Sequence, residues 1–372
     1  MNLPDPRQLA IWAITSEGLS LALKLRDTFP GILHVPESLL PCPAPYFSFS
    51  RLADCVRERF SHFKEHVFIM STGIVVRVIA PCIVSKTKDP AVVVMDEKGR
   101  HVISLLSGHI GGANRLTVAI SEKLHATPVI TTATDLHRVP AIDVIAVDND
   151  LFIENPEAIK IISMAFLNQA PVYLHDPYHR LEKSAEAGKM IPLTTESMMP
   201  GRAELKKSGP SDLPDFRSSD PSAAVVVIDD RLKRFPDPCL ILRPKSLIAG
   251  MGCNRNTCAN EIREFLVDKL IQFGLSLNSL KCIATIDIKS DEAGLLDIAR
   301  SLHIPIRFFT REELSAIVSP NPSKIVNQHI GVPSVCEAAA VLASEKGELI
   351  VPKQISPNVT LAIARINFSL SD

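Results

Sequence analysis

Apolar positions in this chain fall into two rhythms. Short runs of strand length, "AIWAI" and "HVFIM", pass into stretches whose apolar residues recur every three or four positions, "TSEGLSLALKLRDTF" and "STGIVVRVIA". Alternation of this kind predicts an α/β layered domain. "AVVVM" and "HVISLL", joined by "DEKGR" with its glycine late in the turn, read as a β-hairpin. A helix from about Gly112 to Leu124 and a strand "PVITTAT" follow, and the first domain closes near Pro140. From 141 to 244 the pattern thins to one helix near "NPEAIKIISMAFLNQ" and strands "APVYLH" and "AAVVVID". Between those strands, residues 177–222 are rich in Pro, Ser, Gly, Lys and Glu, too polar to offset their ordering entropy by burial, which predicts a mobile surface excursion. A second α/β rhythm starts at "SLIAGMGC" and ends with an alanine-rich helix and two strands, "GELIVPK" and "VTLAIARI". The expected fold class is multidomain α/β: two layered domains, 1–140 and 245–372, flanking a small α/β middle domain at 141–244.

A length of 372 residues accommodates such a division, since domains commonly run to roughly 100–200 residues. The formal charge of −1 gives no general attraction to nucleic acid, so an anionic partner must be met by local charge. No apolar run approaches the roughly 20 residues that span a bilayer, and the N-terminus lacks a signal-peptide pattern. Eight cysteines without a C-x-x-C pair fit a reducing compartment. The expected location is the cytoplasm, with neither membrane nor nucleic-acid partner.

The candidate chemistry sits at junctions between strands and helices. "LLSGHIGGANRL" places Gly108, Gly111 and Gly112 with His109 where an apolar run gives way to a helix. Glycines there admit close approach to backbone N–H groups, and a helix N-terminus favours an anionic oxygen; a tight packed turn with a solvated histidine explains the pattern equally well. "IAGMGCNRNTC" has Gly250 and Gly252 after a strand and Thr257 as expected N-cap, but Arg255 occupies the third glycine position of a dinucleotide fingerprint. "TIDIKSDEAGL" brings Lys289, Asp291 and Glu292 to a strand end, for ligand binding or for helix-dipole compensation with Lys289 solvated. Glu337 falls in the first turns of the alanine-rich helix, Lys353 ends a strand, and Thr72 and Gly73 open a helix with Arg77 one turn along. Cysteines 253 and 258 lack companions at zinc spacing, and Pro177 separates His175 from His179, so no protein metal site is expected.

"STGIVVRVIAP", "DPAVVVMDEKG", "VISLLSGHIGGAN" and "TPVITTATD" resemble the N-terminal half of the CbiG family, the cobalt-precorrin-5A hydrolases of anaerobic cobalamin biosynthesis. "GMGCNRNT", "ATIDIKSDEAGL", "GVPSVCEAAA" and "TLAIAR" resemble its C-terminal domain, which is also similar to CobE. The family pattern at the second junction carries Gly-Cys-Arg-Arg-Gly-Thr; here Asn254 and Asn256 replace an arginine and a glycine, weakening the case for close backbone approach there. The resemblance implies hydrolysis of the ring A δ-lactone of cobalt-precorrin-5A, with release of acetaldehyde to give cobalt-precorrin-5B. It implies no cofactor, since cobalt arrives with the substrate, and neighbouring enzymes of the pathway are candidate partners.

Within that reading His109 is the expected base and the N–H groups of Gly111 and Gly112 the expected oxyanion donors. Thr72, Gly73, Arg77, Ser107, Asn114, Gly252, Arg255, Thr257, Lys289, Glu292, Glu337 and Lys353 are expected to bind the carboxylate-rich substrate. A neutral imidazole base implies activity rising through a pKa near about 6.5. Two other readings compete: a noncatalytic corrinoid carrier, from the likeness to CobE, and a nucleotide-dependent oxidoreductase, from the glycine turns.

Overall fold

The computed structural model describes residues 9–85, 88–137, 139–181, 187–193, 223–235, 238–317, 334–345 and 347–367. The chain divides into two compact units, Met1–Val144 and Ile145–Asp372.

In the first unit the strands are β1 (Leu9–Ala13), β2 (Ile32–Pro36), β3 (Tyr46–Phe49), β4 (Glu65–Ile69), β5 (Ala91–Met95), β6 (His101–Leu106) and β7 (Thr127–Val129). The helices are α1 (Ser16–Arg26), α2 (Leu52–Arg59), α3 (Thr72–Ile79), α4 (Ala113–Leu124), the short α5 (Ala133–Leu136) and α6 (Ile142–Asp148), which runs across the division between units. The sheet order is β3-β2-β1-β4-β5-β6-β7. Its first five strands are parallel, β6 runs antiparallel to β5, and β7 is parallel to β6. Because both sheet faces are covered, β1 and β5 are apolar at every position and buried throughout. Their alternate residues feed two cores. Leu9, Ile11, Val67 and Val93 pack with Leu25 of α1 and Ile120 of α4, while Ala10, Trp12, Phe68 and Val94 pack with Val56 of α2 and Val75 of α3.

This direction pattern separates the chemistry. Strands β1, β4 and β5 end where α1 and α3 begin, and the order reverses between β1 and β4, the position at which open α/β sheets hold ligands. A cavity of about 560 Å³ lies there, lined by Glu17, Met70, Ser71, Thr72, Asp96 and Glu97 among others. The carboxyl ends of β6 and β7 lie at the other edge of the sheet. One five-residue strand, roughly 16 Å at about 3.3 Å per residue, separates the two ends.

The second unit holds two five-stranded sheets. β8 (Leu151–Ile153), β9 (Val172–His175), β10 (Ile191–Pro192), β11 (Ala224–Ile228) and β12 (Cys239–Pro244) are ordered β10-β9-β11-β12-β8, with α7 (Ile159–Leu167) against β11. Strand β10 lies inside the expected excursion and pairs with Tyr173 and Leu174; residues 182–186 and 194–222 of that tract lie outside the described residues. The other sheet, β15-β14-β13-β17-β16, comprises β13 (Leu247–Cys253), β14 (Leu280–Ile286), β15 (Ile306–Phe309), β16 (Glu348–Ile355) and β17 (Val359–Arg365). Its helices are α8 (Ala259–Gln272), α9 (Ala293–Leu302), α10 (Arg311–Ser315) and α11 (Val335–Ala343). Gly250 is required where α11 crosses β13, since a Cβ there would sit 1.9 Å from the Cys336 carbonyl oxygen.

The first unit buries two histidines in its aromatic core. Trp12 Nε1 donates to His66 Nδ1 at 3.1 Å, and His66 Nε2 lies 3.0 Å from the Phe60 carbonyl, so His66 carries its proton on Nε2. His34 stacks on Trp12 with ring centroids 3.9 Å apart; its Nδ1 faces the Ile32 carbonyl and its Nε2 is buried without a partner. Burial depresses both, His34 to about 3 and His66 to about 4. A histidine with a depressed folded pKa binds fewer protons folded than unfolded below pH 6.5, so stability falls as pH drops from 6.5 toward 4. The expected slope approaches about 1.4 kcal/mol per pH unit for each histidine. Denaturant unfolding between pH 5 and 7 checks this, and His34→Phe should flatten the slope; an unchanged slope would count against the assignment.

Candidate active site

Strand β6, helix α4 and strand β7 form a parallel crossover, and the turn between Leu106 and Ala113 is its ligand-facing end. Ser107 takes φ 55° and Gly112 φ 89°, the latter as the left-handed N-cap of α4. The turn closes on itself: Gly112 N donates to the His109 carbonyl at 2.9 Å, Ala113 N to Ser107 O at 3.2 Å, and Asn114 N to Gly108 O at 2.9 Å. A Cβ on Gly111 would lie 2.4 Å from Ser107 Cβ, and one on Gly108 would lie 2.7 Å from Asn114 Oδ1. Gly108 and Gly111 are therefore demanded by packing, and Gly112 by its dihedral. The expectation that Gly112 supplies an oxyanion donor is corrected, because its N–H is spent within the turn. The Gly111 N–H has no acceptor among the described residues.

A polar network gathers behind this turn. Asn114, buried at the start of α4, accepts from Ser104 Oγ at 2.6 Å and donates from Nδ2 to Thr132 Oγ1 and Asp135 Oδ2, both at 2.9 Å. His109 Nε2 lies 3.0 Å from the same Asp135 oxygen and 3.1 Å from Thr134 Oγ1. Its Nδ1 lies 3.4 Å from Asp143 Oδ1, at the start of α6. Sequence reasoning missed Ser104, Thr132, Thr134, Asp135 and Asp143. "TTATD" was available as a signal, but its β-branched residues read as strand, whereas β7 ends at Val129 and Ala133–Leu136 is a helical turn.

The clamp decides the charge of His109. The hydrogen bond to Asp143 outweighs burial and, with Asp135, raises the imidazole pKa to about 9. Burial pushes the Asp143 carboxyl up, but the bond and charge of His109 prevail and hold it below its ordinary value. At neutral pH His109 is a cation between two carboxylates. The expectation of a neutral imidazole at His109 is corrected by this geometry.

Thr72, Gly73 and Arg77 do not join the cluster. They open α3 at the switch-point end of the sheet, where Arg77 Nη1 folds back on the Gly73 carbonyl at 2.8 Å.

In the second unit the carboxyl ends of β13 and β14 bring together Arg255, Thr257, Lys289 and Glu292. Cys258, not Thr257, is the N-cap of α8; Thr257 Oγ1 instead donates to the Asn254 carbonyl at 2.9 Å. Asn256 takes φ 62° and donates its N–H to Glu292 Oε1 at 2.9 Å. The glycine of the family pattern at this position thus serves a left-handed backbone, which asparagine tolerates better than most residues. Glu292 occupies the N-cap position of α9 without a side-chain cap bond; its side chain is 4% exposed, with Oε2 3.7 Å from Lys289 Nζ and 3.6 Å from Arg255 Nη1. Lys289 is 15% exposed, so neither member of that pair is solvated. Arg255 also pairs with Asp291 and donates to the Ile288 carbonyl. Gly252 lies against Thr360, where a Cβ would be 2.8 Å from Oγ1. Glu337 is fully buried, beyond what dipole compensation requires, and its Oε1 accepts the Lys353 N–H at 2.9 Å. Lys353 lies within β16 and forms no ion pair among the described residues. The positive charge expected of this cluster is largely balanced by its own carboxylates.

No group of three or more His, Cys, Asp or Glu suited to a metal ion occurs among the described residues, and no described helix is long and apolar enough to cross a membrane.

An imidazole–carboxylate cluster at the carboxyl end of a strand in an α/β sheet gathers groups able to give and take protons where such sheets hold ligands. Models of the cobalamin synthesis G N-terminal region, the cobalamin biosynthesis central region and the cobalamin synthesis G C-terminus match residues 54–135, 140–244 and 247–364. The chain belongs to the CbiG family. It is 33% identical over 367 residues to the cobalt-precorrin-5A hydrolase of Salmonella typhimurium, covering 98% of this chain and 99% of that one. It is 36% identical over 313 residues to the cobalt-precorrin-5A hydrolase of Priestia megaterium, covering 83% and 80%. Residues of the C-terminal region account for a 33% identity over 121 residues to the protein CobE of Sinorhizobium, covering 32% and 79%. A solved cobalamin biosynthesis protein G homologue from Sulfolobus solfataricus is 20% identical, with a TM-score of 0.36 over 97% of this chain and 98% of that one; family membership rests on the sequence relatives alone. The nucleotide-dependent oxidoreductase gains no support from these relationships.

Two measurements check the geometry. The His109 imidazole should titrate near 9 by NMR and lower in Asp143→Asn; because the folded value lies above the unfolded 6.5, the clamp's stabilisation is complete below pH 6.5 and lost as pH rises through about 9. Asn256→Gly should be tolerated, whereas Asn256→Val should cost about 1–2 kcal/mol in denaturant unfolding; equal stability of the two variants would remove the backbone explanation.

Proposed function

We propose that this chain hydrolyses cobalt-precorrin-5A, opening the ring A δ-lactone and releasing the two-carbon fragment as acetaldehyde to give cobalt-precorrin-5B. The observation that carries this reading is the end-to-end relationship to the Salmonella enzyme. The His109–Asp135–Asp143 cluster supports it chemically. Ester opening by water needs a proton acceptor and a positive or N–H-rich site for the developing oxyanion, and carboxylates and an imidazolium occur together there.

No cofactor of the protein is invoked, because cobalt enters as part of the substrate. In the second unit a peripheral carboxylate of the corrinoid would be met by Lys353, which forms no ion pair among the described residues. The proposed setting is the cytoplasm, alongside the enzymes that make and consume the intermediate. A noncatalytic carrier is the second reading, favoured by the likeness of the C-terminal region to CobE.

Supplying purified cobalt-precorrin-5A separates the two. The hydrolase releases one acetaldehyde per corrinoid consumed, read with an aldehyde-specific reagent, over many turnovers. Tight binding with the corrinoid recovered unchanged would establish the carrier.

A further inference from the structure

We propose that Asp135 takes the proton of the attacking water, and that His109 and Asn114 are positioning residues that hold its carboxylate. This rests on the hydrolytic reading above.

The three side chains differ in which of their atoms remain uncommitted. His109 has no free nitrogen, since Nδ1 faces Asp143 and Nε2 faces Asp135 and Thr134. Asp143 is 11% exposed, and its Oδ1 faces His109 and accepts the Val144 N–H. Asp135 differs from both. Its side chain is 40% exposed, and its Oδ2 alone receives His109 Nε2 and Asn114 Nδ2. Oδ1 makes no hydrogen bond among the described residues. Two donors on one oxygen fix the carboxylate plane and leave the other oxygen open to a water.

Asn114 is itself fixed. Ser104 Oγ occupies its carbonyl oxygen, which leaves the amide nitrogen for Asp135 and Thr132. Gly108 is what admits this side chain against the turn, because any Cβ there would collide with it. The glycine-rich turn thus serves the base through Asn114.

The step balances. The water oxygen bonds to the lactone carbonyl carbon, the water proton passes to Asp135 Oδ1, and the carbonyl electron pair moves onto its oxygen. As the tetrahedral species collapses, the ring C–O bond breaks and the departing oxygen takes the proton back from Asp135. The products of this step are a carboxylic acid, which ionises in water, and a carbinol, with Asp135 restored as carboxylate. Acetaldehyde then leaves as the carbinol gives up its hydroxyl proton to solvent and the carbon–carbon bond to the macrocycle breaks, its electron pair passing into the conjugated ring, which takes up a proton.

Among the described residues in contact with this cluster, the titratable groups are His109 from the turn and, behind it, Asp143 of α6; Asn114 of α4 and Thr132 and Thr134 of the β7–α5 segment are uncharged. Turnover should therefore fall as the positioning imidazolium is lost at about 9.

Asp135→Asn should lower kcat by about 10²–10⁴-fold while corrinoid binding, followed by absorbance, changes by less than about threefold. Formate added to Asp135→Ala should restore part of the turnover, a rescue that a structural role would not show. Asn114→Ala should lower kcat about tenfold or more at unchanged KM, a split that a merely structural loss would not give. Turnover within tenfold of wild type in a folded Asp135→Asn, loss of corrinoid binding in that variant, absence of formate rescue, or a wild-type limb near 6.5 would each overturn the proposal. Failure of the wild-type chain to release acetaldehyde would instead remove the hydrolytic reading on which it stands.

Discussion

The antiparallel step between β5 and β6 is the constraint on which the first unit's chemistry depends. Val93 opposite Ser104 and Met95 opposite Val102 reverse the direction of the sheet after five parallel strands. Without that reversal, the β6–α4 turn would emerge beside Thr72 and the α3 N-terminus. With it, the sheet presents carboxyl ends on both edges. One edge has the switch-point cavity and the other the imidazole–carboxylate cluster, and motifs that read as neighbours become separated by a strand's length.

The cluster itself is held by mutual compensation. Burying Asn114 and Asp143 costs free energy unless their polar atoms are matched, and here each is answered by a named partner. Removing one charged member of such a buried arrangement commonly costs about 3–5 kcal/mol, more than the intact pair contributes, because the other charge is stranded. The same logic explains why Glu292 and Glu337 persist in the second unit. Each accepts a backbone N–H from a distant segment and so ties a loop or strand to a helix.

Much of the fold was legible because its strands are buried on both faces and therefore appear as unbroken apolar runs. "AVVVM" with "HVISLL" could be paired as a hairpin from the intervening "DEKGR", and the two strands are antiparallel neighbours. The site was legible only in part. His109 and its glycines stand together in the sequence, but Asp135 lies 26 residues further on and Asp143 beyond a proline, so their meeting is a product of the β6–α4–β7 crossover. "TTATD" was misread because β-branched propensity is a weak prior once a short strand runs out of partners. The role of Asn256 was likewise hidden, since a sign change in φ leaves no mark on hydrophobic pattern.

Trp12 is the only tryptophan in the chain, and it lies face to face with His34 while its indole N–H is held by His66. A protonated imidazole in contact with an excited indole accepts an electron and darkens it. The intrinsic emission of the whole chain is therefore an optical gauge of this one spot: bright while both rings are neutral, dim once a proton reaches either. No extrinsic dye or engineered fluorophore is needed to watch the first unit's interior take up acid in real time.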